Sequence, residues 1–130
     1  MKEAATEWLR QAKYDLSTAK AMFEAERHIY AVFMCHLAVE KAIKALITER
    51  TGEVPPKSHN LIRLAKLADV EMEDVRREFI STLSVASVET RYPALLDVAL
   101  EKYSEAVARE FLEKAEDFVK WAEEKLVSKE

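Results

Sequence analysis

The chain has 130 residues, of which 49% are hydrophobic and 34% charged; this suits one domain, residues 1–130, around one core, and it is too charged for a membrane protein and too apolar for a disordered chain. With 1 Gly and 3 Pro there is too little turn material for an all-β fold and none for a glycine-rich phosphate loop, and the lone Cys35 excludes an internal disulfide and a cysteine-based zinc site. The net charge of −4 speaks against a general nucleic-acid binder, so no DNA partner is expected.

Trp8, Ala12, Leu16, Ala19 and Phe23 recur every three or four residues and predict a first helix over about residues 3–26. Arg27 and His28 make a weak break. Ile29, Phe33, Leu37, Ala38, Lys41, Ala45 and Leu46 predict a second helix, about 29–50, closed by Gly52 at its C-cap and by Pro55-Pro56 beyond. Ser58 is expected to N-cap a third helix whose apolar face is Leu61, Leu64, Ala65 and Ala68, and Asp69 to Glu73 reads as a turn. Val75, Phe79, Leu83 and Ala86 mark a fourth helix over about 74–88, followed by a linker, Thr90-Arg91-Tyr92-Pro93, because the residue before a proline avoids the helical region. Residues 94–102 suit either a short helix or a packed loop. Ser104 caps a last helix, about 104–127, facing inward with Ala108, Phe111, Leu112, Ala115, Phe118, Val119, Ala122 and Leu126. The expected fold is therefore all-α, an antiparallel up-and-down helical bundle of about five helices.

The longest stretch without Asp, Glu, Lys or Arg runs from His28 to Val39, far short of the roughly 20 residues of a spanning helix, and the N-terminus lacks a signal-peptide core. A soluble cytoplasmic protein with no membrane contact is expected. Gln11 and Asn60 are the only side-chain amides, which together with abundant Glu and Lys suggests a thermophilic source. Leu95, Leu96, Val98 and Leu100 are hard to bury in a monomer and predict a homodimer interface.

Charge is unevenly spread. Residues 41–66 carry Lys41, Lys44, Arg50, Lys57, Arg63 and Lys66 against Glu49 and Glu53, a net of +4, while residues 67–100 sum to −4. The basic stretch reads as a solvated face or as a local anion site, which needs only two or three convergent cations. His36 and Glu40 lie one turn apart on one helix face, either as a buried pair satisfying each other or as half of a metal site. Di-metal bundles use Glu-x-x-His, and no Glu here has a His three residues on, so no metal is expected. Lys41 and Lys44 border the apolar face, where a Lys snorkels, pairs with a buried acid or meets a ligand. His59 either packs in the first turn of the third helix or faces an anion at its N-terminus. Arg91 offers a planar fork suited to phosphate, and Tyr92 stacks on a base or fills the core. Cys35 is read as a small core residue, because His36 points about 100° away and cannot serve it as a base.

Taken in order, Trp8 with Ala12 and Asp15-Leu16, Phe33-x-x-His36-x-x-x-Glu40-Lys41-x-x-Lys44-Ala45, His59-x-Leu61-x-x-Leu64, Arg91-Tyr92-Pro93, and Ala115 with Trp121 resemble the HEPN family over about residues 4–127. The resemblance implies a helical bundle that commonly dimerises. It also implies, as partner, a minimal nucleotidyltransferase in a toxin–antitoxin-like pair. Many family members are metal-independent RNases whose signature is an Arg, four to six residues, then a His. Arg91 matches the Arg, but the His position falls on Leu96, Asp97 or Val98. His59 matches a His common in this branch. The expected function is binding of a nucleotide or phosphate, or of RNA, by Lys41, Lys44, His59, Arg91 and Tyr92, supported by His36 and Glu40, with no cofactor and no independent catalysis. The alternatives are an RNase using Arg91 with His59 or His36, and a purely structural dimerisation protein. Glu40 is expected to meet Arg91 or His59 once the bundle closes.

Overall fold

The most apolar stretch of the chain becomes the axis of the structure. The computed structural model describes residues 1–128, in which six helices and no strand are found: α1 Glu3–Glu24, α2 His28–Thr51, α3 Leu61–Ala68, α4 Asp74–Arg91, α5 Leu96–Lys102 and α6 Glu105–Val127. α2 is buried around nearly its whole circumference because α1, α3, α4 and α6 all pack on it. Ala5, Ala12 and Ala19, seven apart, are fully buried on α1, so small side chains let the α1 and α2 backbones approach closely. Val32, Val39, Ile43, Leu61, Leu64, Leu83 and Phe118 then fill one continuous core. Truncating any of these large side chains to Ala would cost about 2–5 kcal/mol.

Several boundaries fall where local chemistry puts them. α2 ends at Gly52, whose φ of 74° is left-handed and strains any residue with a Cβ. Ser104 caps α6, its side chain accepting from the Val107 amide. Cys35 is fully buried in the core, and burial pushes its thiol pKa up to about 12.

Three expectations are corrected, and one open alternative is decided. The cap of α3 is Asn60, whose side chain accepts from the Arg63 amide, while Ser58 caps only the turn before it by accepting from the Asn60 amide. His59 therefore precedes α3 instead of opening it. α4 runs on to Arg91, because the restriction imposed by Pro93 falls on Tyr92 (φ −129°, ψ 67°), one residue later. Val75, expected on the core face, is 74% exposed, and the core is reached only at Phe79. Residues 96–102 form the short helix α5, giving six helices instead of about five; it buries Ala99 alone and leaves Leu95, Leu96, Val98 and Leu100 exposed. No helix among the described residues is long and apolar enough to cross a membrane.

Candidate functional site

A polar stripe runs up the inside of the central helix. His36, Glu40, Lys44 and Thr48 follow one another at intervals of four along α2, and all four are buried. Burying a charge at such a position costs heavily unless it is paired and hydrogen-bonded. Glu40 is: its Oε2 accepts from Lys44 Nζ at 2.9 Å, and His59 Nδ1 donates to Oε1 and Oε2 at 3.0 and 3.1 Å. The loop from Gly52 to Asn60, anchored by buried Pro55, brings His59 over the stripe.

His36 completes the arrangement. Its Nε2 lies 3.1 Å from the backbone oxygen of His59, and a carbonyl can only accept, so Nε2 carries the hydrogen. Nδ1 is left without a hydrogen-bond partner, 3.9 Å from Glu40 Oε1. Burial lowers the His36 pKa below the usual 6.5; the Glu40 charge and the His59 carbonyl oppose this, and Arg91 and His59 add to it. The ring is accordingly neutral near neutral pH. His36 thus holds the backbone of His59, while Glu40 holds its ring.

Arg91 closes the other side. From the last turn of α4 its guanidinium carbon lies 4.9 Å from the centroid of the Phe33 ring and 5.8 Å from that of Tyr92. Phe33 in turn stacks on His36, centroids 6.4 Å apart with 14° between the planes. No acid or carbonyl among the described residues bonds the guanidinium, and its Nε is buried without a partner. Between these residues lies a shallow groove of about 470 Å³, lined by His59, Asn60, Ile62 and Ser87 as well as Arg91 and Tyr92.

The structure therefore brings together His36, Glu40, His59, Arg91 and Tyr92. Glu40 meets His59, one of its two expected partners. Tyr92 is 73% exposed and does not fill the core. The two lysines are placed elsewhere. Lys44 has its ammonium on Glu40 and 5.5 Å from the Trp8 ring centroid, inside the α1–α2 contact. Lys41 lies 2.8 Å from Asp15 Oδ2 on α1. The basic stretch is not one patch, since Arg50 spends its donors on the Leu67 and Ala68 carbonyls. Leu96, Asp97 and Val98 sit exposed on α5 and place no imidazole there. Sequence reasoning missed Phe33 as the platform under Arg91, although its spacing of three from His36 already put both on one face. Among the described residues, no three His, Cys, Asp or Glu side chains are grouped as metal ligands would be.

Comparison with known proteins gives a consistent picture. A family model described as the HEPN domain matches residues 5–125. The crystal structure of TT1696 from Thermus thermophilus superposes with a TM-score of 0.81 at 28% identity, over 95% of this chain and 99% of that one. ST0689, described as an archaeal HEPN homologue, superposes at 0.77 with 23% identity, over 97% and 99%, a likeness of fold. No curated protein matches.

Proposed function

The chain belongs to the HEPN domain family, and on that premise we propose that it binds a phosphate-bearing ligand, a nucleotide or an RNA segment, in the groove between α3 and α4. The observation that carries this reading is Arg91: a planar, permanently charged fork, held over an aromatic ring at the groove and bonded to no acid of the described residues. The roles within the binding group divide accordingly. Arg91 takes the phosphate, Tyr92 offers an exposed ring for a base, and His59 lines the opposite wall, while Lys41 and Lys44 are spent on Asp15 and Glu40 and stay outside the groove. Calorimetric titration of ATP into the wild type and Arg91→Ala tests it. Binding that falls at least tenfold in the variant supports the reading, and equal binding overturns it.

A second reading, metal-independent RNA cleavage, is favoured by the Glu40–His59 hydrogen bond. Cleavage needs a base for the 2′-hydroxyl and a cation for the phosphate, and an imidazole oriented by a carboxylate is a base of that kind. Single-stranded RNA cleavage that resists EDTA and disappears in Arg91→Ala would place this reading first.

Assembly follows the same logic. Val85 and Val88 on α4, Tyr92 at its C-cap, and Leu95, Leu96 and Val98 beyond it are exposed apolar side chains, which supports a homodimer. Light scattering checks it, with twice the 14.9 kDa chain mass expected at micromolar concentration. The partner implied by the family is a minimal nucleotidyltransferase in a toxin–antitoxin-like pair; co-expression with the neighbouring reading frame and pull-down test that association.

A further inference from the structure

α4 and α6 carry the same five-residue pattern, and both copies line one gap. Val75-Arg76-Arg77-Glu78-Phe79 on α4 and Val107-Ala108-Arg109-Glu110-Phe111 on α6 both read Val-x-Arg-Glu-Phe. The two helices pack on α2 but hardly on each other, which leaves a groove of about 270 Å³ between them. They run antiparallel, since Arg76 reaches Asp117 while Phe79 lies against Phe111. The two phenylalanines therefore form the middle of the floor, with Val75 and Val107 toward opposite ends. A Val and a Phe four apart share one helix face, so the apolar seat extends for about 12 Å, two helical turns. Val75, spaced for a core position, is exposed at one end of it.

The charge around the seat decides what covers it. Glu78 and Glu110 stand one on each wall, each directly before its phenylalanine. Lys114 answers Glu110, and the neighbouring arginines are spent elsewhere, Arg77 on the Met72 carbonyl and Arg109 on Glu105. Glu78 pairs with no cation among the described residues, so the groove keeps a negative charge beside its apolar floor. The wider surface has the same sign, since residues 67–100 and 101–130 sum to −4 and −3. A second copy would bring like charges together across the contact, and an anionic lipid surface would be repelled. A small molecule is poorly served by a volume below the roughly 300–1,000 Å³ of such sites. A helix with apolar residues at i, i+4 and i+7 matches a two-turn apolar seat, and a Lys or Arg beside them answers Glu78. We propose that the α4–α6 groove docks a basic amphipathic helix of a partner protein, with Val75, Phe79, Val107 and Phe111 as the seat and Glu78 as the charge that selects it. The surface lies on the other flank of α4 from the nucleotide groove and does not depend on that reading.

Fluorescence anisotropy with two labelled peptides of about 16 residues, long enough to hold a helix, tests this. Both carry Leu at i, i+4 and i+7 on an Ala background, flanked by Lys in one and by Glu in the other. The wild type should bind the Lys peptide at least about tenfold more tightly than the Glu peptide, with an affinity that falls as salt is raised. Val75→Ser, at an exposed position that leaves the core intact, should weaken the Lys peptide about fivefold. Glu78→Lys should bring the two peptides within about twofold of each other or reverse their order. Both variants should bind ATP as the wild type does. Equal affinities for the two peptides, no binding of the Lys peptide, or an affinity unchanged in Val75→Ser overturns the proposal. So does a change from dimer to monomer in light scattering of Val75→Ser, which gives the seat to a second copy. Sedimentation with phosphatidylserine vesicles that is lost in Val75→Ser overturns it too, because the seat then belongs to a membrane surface.

Discussion

Two grooves flank α4, and they differ in what their walls leave unpaired. The one between α4 and α6, about 270 Å³, has Phe79 and Phe111 as its floor, their rings 6.3 Å apart, with Val75 and Val107 beside them. On its rim Lys114 pairs with Glu110 at 2.8 Å, so the one cation that lines it is already answered. The one between α3 and α4 is lined by a guanidinium with no acid partner among the described residues and by an imidazole whose inner nitrogen is already claimed. A hollow between helices is a common product of imperfect packing. A buried donor such as Arg91 Nε without a partner asks for an explanation, because most buried polar groups are satisfied. The contrast teaches that the site is marked by uncompensated polarity more than by shape.

The largest effect expected on this contrast comes from the support beneath the polar groove. Glu40→Ala leaves Lys44 buried and uncompensated and releases His59, so a loss of about 3–5 kcal/mol is expected in urea denaturation. A loss below about 0.5 kcal/mol would mean that the stripe on α2 carries no charge burden. Next comes Arg91→Ala. It should lower phosphate affinity tenfold or more, as befits a charge-assisted bond, yet change stability by under about 1 kcal/mol, since only ring contacts are lost.

The third effect is one of pH. The folded-state pKa of His36 lies below 6.5, so between the two values the unfolded chain binds more protons. The contribution of His36 is fully present above about pH 6.5 and is lost as the pH falls toward the folded-state value. Denaturation midpoints at pH 7.5 and pH 5 should therefore converge more closely in His36→Gln than in the wild type. The smallest effect belongs to the other groove: Lys114→Ala should shift stability by less than about 0.5 kcal/mol, as exposed helix pairs do, and leave nucleotide binding unchanged. A binding defect in that variant would break the distinction between the two grooves.

What was legible in the sequence was mostly local. The apolar run of α2, the Gly52 stop, the Ser104 cap and the spacing of His36 and Glu40 are one-turn or one-residue features, and each is found where its chemistry put it. Ser58 and Asn60 are both capping residues two positions apart, and only the need to turn Leu61 and Leu64 inward decides for Asn60. The helix rules end α4 near residue 88 and leave Arg91 in the linker, but the restriction from Pro93 reaches only Tyr92, so Arg91 stays in the last turn. The partners of Lys41 and Lys44 were less accessible. Lys41 and Lys44 look alike in sequence, and the choice between Asp15 and Glu40 depends on how α1 lies against α2. The seat of Arg91 on Phe33 joins two helices across 58 positions of chain, and helical periodicity carries no information at that range.

Cys35 gives the molecule its own clock. The chain has one thiol, with no exposed surface and a pKa pushed up to about 12 by burial alone, so a labelling reagent reaches it only when the helices around α2 part. Because no other cysteine competes, the rate of modification of the unaltered protein reports how often that opening occurs. A ligand that binds the closed form slows the rate in proportion to its occupancy, so the same thiol, buried one residue before His36, becomes a gauge of events in the groove.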